Sequence, residues 1–362
     1  MKKFLALLLA LTMALALVAC GGGDDAASDT TADSGDDAAA STGEFEEMTW
    51  KFACSATETS PWVDGAKEFA RIVGEKTGGA ITVQYYPADQ LTAGNQTDGI
   101  QALMDGTTEL SMHSNLIWSS FDQRFNVVSL PFLFSSTEEA DAALDGAGGE
   151  ALGEILESTY NVHLLGIAEN GFRHITNSKH AIASKADMNG LKMRVAGSQL
   201  LNRSYELWGA DYNANWSEVF TALQTGTYDG QENPLPTADA ASIQEVQSYL
   251  TYWTGAYDCL FFCMNAELYN SLSPELQAIV DEAGQAACEY ERELNRSQDQ
   301  EIMDKWAEAG VEITELTPEA AAEFAEASAP VYDEFADELT PELIEAFTSV
   351  TQADAGTTEP AA

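Results

Sequence analysis

Pro274 to Gly310 reads "PELQAIVDEAGQAACEYERELNRSQDQEIMDKWAEAG". Proline opens it, where a helix tolerates a missing N–H. No proline follows inside, and Gly284 is the only internal glycine. Leu276, Ile279, Val280, Ala283, Ala287, Tyr290 and Leu294 recur at three- and four-residue spacing, the signature of an apolar helical stripe. A continuous helix of about 36 residues is about 54 Å long. That exceeds the width of a small domain. Such a helix either pairs with another or lies across two lobes.

The rest of the chain decides between these. Met48 to Cys54 alternates, with Trp50, Phe52 and Cys54 on one face, and reads as a strand. Pro61 opens a helix carrying Trp62, Ala66, Phe69, Ala70 and Val73, and Gly78-Gly79 ends it. Ala80–Tyr86 reads as a strand, Gln96–Asp105 as a helix, and Glu109–Met112 as a strand. Further strands are expected at Val162–Ala168, Leu191–Val195 and the apolar Cys259–Asn265, with helices at Ser198–Trp208 and Trp216–Gln224. The C-terminal stretch from Pro318 to about Val350 reads as helical and acidic. Strands alternating with helices predict an α/β fold with largely parallel sheet.

The ends of the chain differ from the body. Lys2 and Lys3 precede sixteen residues, Phe4 to Ala19, interrupted only by Thr12. Sixteen helical residues reach about 24 Å, short of a bilayer core. The run reads as a secretory signal peptide, spanning 1–19. It ends Leu17-Val18-Ala19-Cys20, which resembles the lipobox of bacterial lipoproteins and implies lipidation of Cys20. Gly21 to Glu44 contains only Gly, Ala, Ser, Thr, Asp and Glu, the composition of a disordered tether. Its reach is roughly 27 Å if it behaves like a Gly/Ser linker. The expected location is therefore extracytoplasmic, lipid-anchored to the cell membrane.

Composition limits function. The formal net charge is −43, with 16 Lys+Arg against 59 Asp+Glu. That argues against nucleic acid and against anionic lipid surfaces as partners. No nucleophile elbow, zinc-protease helix, phosphate loop or dinucleotide fingerprint occurs, and the histidines lack metal-ligand spacing. The reading is a non-enzyme without a cofactor or metal, although a secreted hydrolase without a motif stays open. Cys54, Cys259, Cys263 and Cys288 are compatible either with a disulfide or with buried thiols.

Against this acidity, Arg173, Lys179, Lys185, Lys192 and Arg194 crowd into 22 residues. Around them stand Gly171-Phe172-Arg173-His174-Ile175-Thr176-Asn177 and Gly190-Leu191-Lys192-Met193-Arg194-Val195. Downstream come Trp216-Ser217-Glu218-Val219 and Asp229-Gly230-Gln231-Glu232-Asn233. These blocks, with "YYPADQL" and "SLPFLF" earlier, resemble the solute receptors of TRAP (tripartite ATP-independent periplasmic) transporters, DctP type. The resemblance covers about residues 48 to 315. It implies a two-lobed periplasmic-binding-protein-like fold that closes over a small organic acid and delivers it to separate TRAP permease subunits in the membrane.

The family's carboxylate-binding arginine falls on Arg194, and a second on Arg173. Asn233, Trp216, Ser55, Ser114 and Asn115 fall on other ligand-facing positions. Physical chemistry agrees with the arginine. A carboxylate leaving water must recover its hydrogen bonds, and a guanidinium offers a planar fork matched to both oxygens. Alternatives stay open: an internal Asp or Glu as the partner of Arg194, a surface carboxylate for Arg173, core filling for Trp216, and a turn for Asn233. Two arginines favour a diacid. C4-dicarboxylate, 2-oxo acid, uronate and aromatic acid all stay open, as does service to a sensor kinase or another transporter class. The sequence departs from the family at Ala196, where proline is usual.

On that resemblance the lobes are expected at 48–170 plus 259–298, and at 171–258 plus 299–350, with the long helix from Pro274 spanning both lobes as a spine and a tail from 351 to 362.

Overall fold

A computed structural model describes residues 45–213 and 216–355. The signal peptide, Cys20 and the tether lie outside the described residues, as does the tail beyond 355.

Strand β1 (Met48–Cys54) leads to helix α1 (Pro61–Lys76), capped by the Ser60 side chain accepting the Trp62 N–H. Then come β2 (Ile81–Tyr86), α2 (Gln96–Met104), β3 (Leu110–Ser114), α3 (Asn115–Trp118), α4 (Thr137–Leu144) and α5 (Ala147–Tyr160). The long β4 (Val162–Phe172) is separated from β5 (His174–Asn177) by Arg173 alone. Next are β6 (Lys192–Val195), α6 (Gln199–Trp208), β7 (Asp211–Asn213), α7 (Val219–Gln224), β8 (Gly230–Asn233), α8 (Leu235–Ala240) and β9 (Tyr249–Tyr252). After β10 (Tyr257–Asn265) follow α9 (Ala266–Ser271), α10 (Pro274–Glu308), β11 (Glu312–Glu315), α11 (Pro318–Glu334), α12 (Ala336–Leu339) and α13 (Pro341–Ala355).

The strands form two sheets, ordered β2-β1-β3-β10-β4 and β11-β9-β5-β8-β6-β7. Both are mixed, which corrects the largely parallel expectation. β10 runs antiparallel to β3 and β4, and β5 runs antiparallel to β8 and β9. The cause is the path of the chain. β4 runs out of the first sheet almost directly into β5 of the second, and β10 brings the chain back beside β4 in the opposite direction. The two crossings touch, because the Arg173 N–H donates to the Ala256 carbonyl at 2.9 Å.

β10 is buried along its whole length. Its alternate residues serve two cores. Leu260, Phe262 and Met264 pack with Phe52, Phe69 and Leu276, while Cys259, Phe261 and Cys263 pack with Trp118, Phe125 and Leu156. A strand covered on both faces reads as continuously apolar, as this one does.

α10 runs for 35 residues and serves both sheets. Its first half places Leu276, Val280, Ala283 and Ala287 in the core around β1 and β10. Its last turns place Ile302 and Trp306 with Val219, Leu223 and Leu250 of the second sheet. Close packing on β4 rests on glycines. A Cβ on Gly284 would lie 2.6 Å from the Leu165 Cβ, and one on Gly166 would lie 2.8 Å from the Cys288 sulfur.

The C-terminal stretch is helical as expected and is broken at Phe335 and Thr340 into α11, α12 and α13. It does not sit with the second sheet throughout. In α11, Phe324 packs with Trp208 and Trp253 beside the second sheet, while Val331 joins the core of the first. Leu343 and Phe347 of α13 pack with Leu144 and Leu152. The 299–350 segment is therefore divided between the two cores, because the apolar face of α4 and α5 needs a cover and α13 supplies it.

Cys54, Cys259, Cys263 and Cys288 are buried free thiols.

Candidate functional site

The strand ends of the two sheets meet over a crevice of about 350 Å3 of atom-free space, its open mouth included. Ser55 reaches it from the end of β1, Trp62 from the first turn of α1, and Ser114 from the end of β3. The second sheet contributes Arg194 from β6, Asn233 from β8, and Trp216 from a short turn before α7. Arg173, at the crossing, lines it too. Six of the seven positions expected from the sequence are thus brought together from segments far apart in the chain.

Asn115 is the exception. Its amide nitrogen donates to the Phe125 carbonyl at 2.9 Å and to the Ser129 hydroxyl at 3.0 Å, and its oxygen accepts the Cys259 N–H at 3.0 Å. It is fully buried and fastens the segment after α3 to β10. Sitting one residue beyond Ser114, it starts a helix and turns into the core instead of the crevice.

The two arginines have different surroundings. The Arg173 guanidinium bonds the Glu232 carboxylate and the Asp258 carboxylate, and adds 3.0 Å bonds to the Glu232 carbonyl and the Asn233 side-chain oxygen. Glu232 belongs to the second sheet and Asp258 to the first, so Arg173 pins the sheets together at the crossing. These two carboxylates hold its affinity for the proton above the ordinary arginine value despite full burial. Its role as a second ligand cation is therefore compromised, since its charge is already matched.

Arg194 is only 2% exposed. Its guanidinium lies 4.0 Å from a Glu232 oxygen and 5.4 Å from the centre of the Trp216 ring, within cation–π range. Burial pushes its pKa down to about 10; Glu232 opposes this and the Arg173 charge adds to it. It stays protonated at neutral pH. Glu232 is shared: the oxygen nearest Arg194 also accepts from Arg173 at 3.0 Å and from the Ala196 N–H at 2.9 Å. The Ala196 departure acquires a meaning here, because proline has no N–H to give.

Asp258 is held from three sides. Ser114 donates to one oxygen at 2.7 Å, and Asn170 and Arg173 donate to the other. Burial raises its pKa, against the opposing charge of Arg173. Thr237 in turn donates to the Asn170 oxygen at 2.6 Å. Asp258, Asn170, Thr237, Gln96 and Trp62 line the crevice and were not singled out from the sequence. A signal existed for Asp258, a lone carboxylate at the head of an apolar strand. Trp62 looked like an ordinary stripe residue, and its place at the crevice depends on where α1 begins.

Lys179, Lys185 and Lys192 do not line the crevice. Lys179 and Lys192 are exposed, and Lys179 pairs with Asp229 at 3.1 Å. The positive cluster of the sequence is thus two buried arginines plus a solvated face.

The sequence model of the family described as "Bacterial extracellular solute-binding protein, family 7" (DctP) matches residues 52–339. The chain belongs to this family. Among family-7 relatives, the 2,3-diketo-L-gulonate-binding periplasmic protein YiaO of Escherichia coli is 32% identical over 277 residues, 76% of this chain and 84% of the relative. The sugar acid binding protein DctPAm of Advenella mimigardefordensis, solved with galactonate, is 28% identical with a TM-score of 0.81, covering 85% of this chain and 99% of that one. A TRAP periplasmic solute-binding protein of Sulfurospirillum deleyianum, solved with succinate, is 30% identical with a TM-score of 0.78, covering 84% of this chain and 100% of that one. Two-lobed TRAP receptors are thus the structural neighbours of this family-7 chain.

Proposed function

We propose that this chain binds a small organic acid outside the cytoplasm and delivers it to a separate TRAP-type membrane permease. The observation that carries this reading is Arg194: a buried, charged guanidinium lining a cavity between two sheets and lying over the Trp216 ring. A carboxylate entering that cavity recovers its lost hydration through charge-assisted bonds, and Trp216 covers the apolar part of the solute. Asn233, Ser114 and Ser55 add polar contacts. Closure is a hinge motion about the two chain crossings near Arg173 and Ala256, with α10 and α11 as the straps between the lobes. The lobes in this reading are about 48–170 with 259–298, and 171–258, with the residues from 299 to 350 shared between them. Binding is stoichiometric, without turnover. Anchoring through Cys20 is proposed from the lipobox-like sequence alone.

The test is titration calorimetry of the purified chain against a panel of organic acids. At least one acid is expected to bind at micromolar strength, about 8 kcal/mol. Arg194→Ala is expected to abolish that binding, and Arg194→Lys to lose most of it, because lysine lacks the planar fork. Wild-type affinity in Arg194→Ala would refute the assigned site.

A further inference from the structure

The charges of the crevice discriminate among organic acids. Its charged lining residues are Arg173, Arg194 and Asp258. With Glu232 behind them, they form a buried set of two positive and two negative groups. Arg173 is engaged by both carboxylates. A ligand with one carboxylate brings one further negative charge, placed beside Arg194. A second ligand carboxylate would add another, inside a space already walled by Asp258 and without a cation left uncommitted by Arg173. Buried like charges repel strongly, and a desolvated anion without a partner is costly.

The opposite wall makes a different offer. The Ser55 hydroxyl and the Trp62 indole N–H are buried and have no hydrogen-bond partner. Both residues are 4% exposed and line the crevice. Both stand on the first-sheet side, across from Arg194 on β6. Buried indoles elsewhere, such as Trp50 and Trp118, also lack partners, but Ser55 and Trp62 alone among such residues line this cavity. Neutral donors in the wall of a cavity, left without a partner inside the protein, are suited to hydroxyl or keto oxygens of a bound solute. Asp258 supplies an acceptor for a ligand hydroxyl.

We propose that the crevice selects a monocarboxylic acid carrying hydroxyl or keto oxygens over a dicarboxylic acid of equal length, with Ser55 and Trp62 as the residues that read the oxygenated end. This rests on the carboxylate being held at Arg194. It overturns the diacid preference expected from counting two arginines, because one of them is spent inside the protein.

The experiment compares matched acids by calorimetry on the full chain: D-erythronate, succinate and butyrate at four carbons, and D-gluconate, adipate and hexanoate at six. In at least one trio the hydroxylated monoacid is expected to bind about tenfold or more tighter than both others. Ser55→Ala and Trp62→Phe are each expected to weaken that acid about fivefold or more, and to weaken the unsubstituted monoacid clearly less than the hydroxylated one. Trp62→Phe keeps an aromatic ring but removes the five-membered ring together with the N–H, whereas Ser55→Ala removes a single hydroxyl, so agreement between the two variants is required. A diacid binding as tightly as its hydroxylated partner would overturn the proposal, as would variants that weaken all acids equally. If acids bind through Arg194 without this preference, the receptor reading survives and this inference falls. If none of the six binds, this inference falls, and the receptor reading rests on the wider panel of acids.

Discussion

Arg173 and Arg194 are the same side chain placed about equally deep, yet they do different work. Arg173 balances two buried carboxylates from two sheets. Removing one partner of such a set leaves the others uncompensated, at about 3–5 kcal/mol. Arg173→Met is therefore expected to lower the thermal unfolding midpoint sharply in the absence of any ligand. Arg194 lines the crevice, and burial pushes its pKa down to about 10 against the opposing charge of Glu232. Arg194→Ala is expected to cost little stability while destroying ligand binding. Calorimetric unfolding of both variants, without ligand, separates the two roles. A smaller destabilisation for Arg173→Met than for Arg194→Ala would reverse the assignment.

At the level of elements, α10 is the part on which the architecture turns. Its interior glycine is the point of closest approach to β4, where an added Cβ would meet the Leu165 carbonyl oxygen at 2.8 Å as well as its Cβ. Helix propensity alone favours alanine there by roughly 1 kcal/mol. Overpacking costs about 1–3 kcal/mol, and here backbone must move. Gly284→Ala is thus expected to destabilise despite its better propensity, read as a lower urea midpoint. A gain in stability would mean that α10 stands farther from β4 than the contact geometry requires. Further along the same helix, Arg292 and Arg296 bond Asp145, Asp141 and Glu169, and so tie the spine to α4 and β4 in its middle.

For the whole molecule, α10 is not alone among the described helices in serving both halves, because α11 does so too. α10 was legible from spacing. α11 was not, because its bridging residues Phe324 and Val331 look like any amphipathic stripe until the partners are known. The strongly acidic composition also acts at this scale, through Asp299 on the spine. Burial, aided by the negative charge of Glu169, raises its pKa to about 7 from 3.8. The folded state thus holds a proton that the unfolded chain releases. The stability this proton confers is full below the unfolded value and lost as pH rises through the folded one. Asp299→Asn is therefore expected to raise the unfolding midpoint at about pH 8, with the gain shrinking toward about pH 4. A pH-independent difference would remove ionisation as its cause.

The sequence by itself determined the periodic elements, the long helix, the absence of enzymatic motifs, and six of the residues around the crevice. Those readings depend on local spacing and on short motifs, which survive without knowledge of the fold. Only the tertiary structure decided that Asn115 turns inward, that α13 covers the first core, and that Arg173 is matched by Glu232 and Asp258. These are questions of which distant groups share a low-dielectric space. How a buried charge is matched within its own chain depends on neighbours tens of residues away, and no local pattern records them.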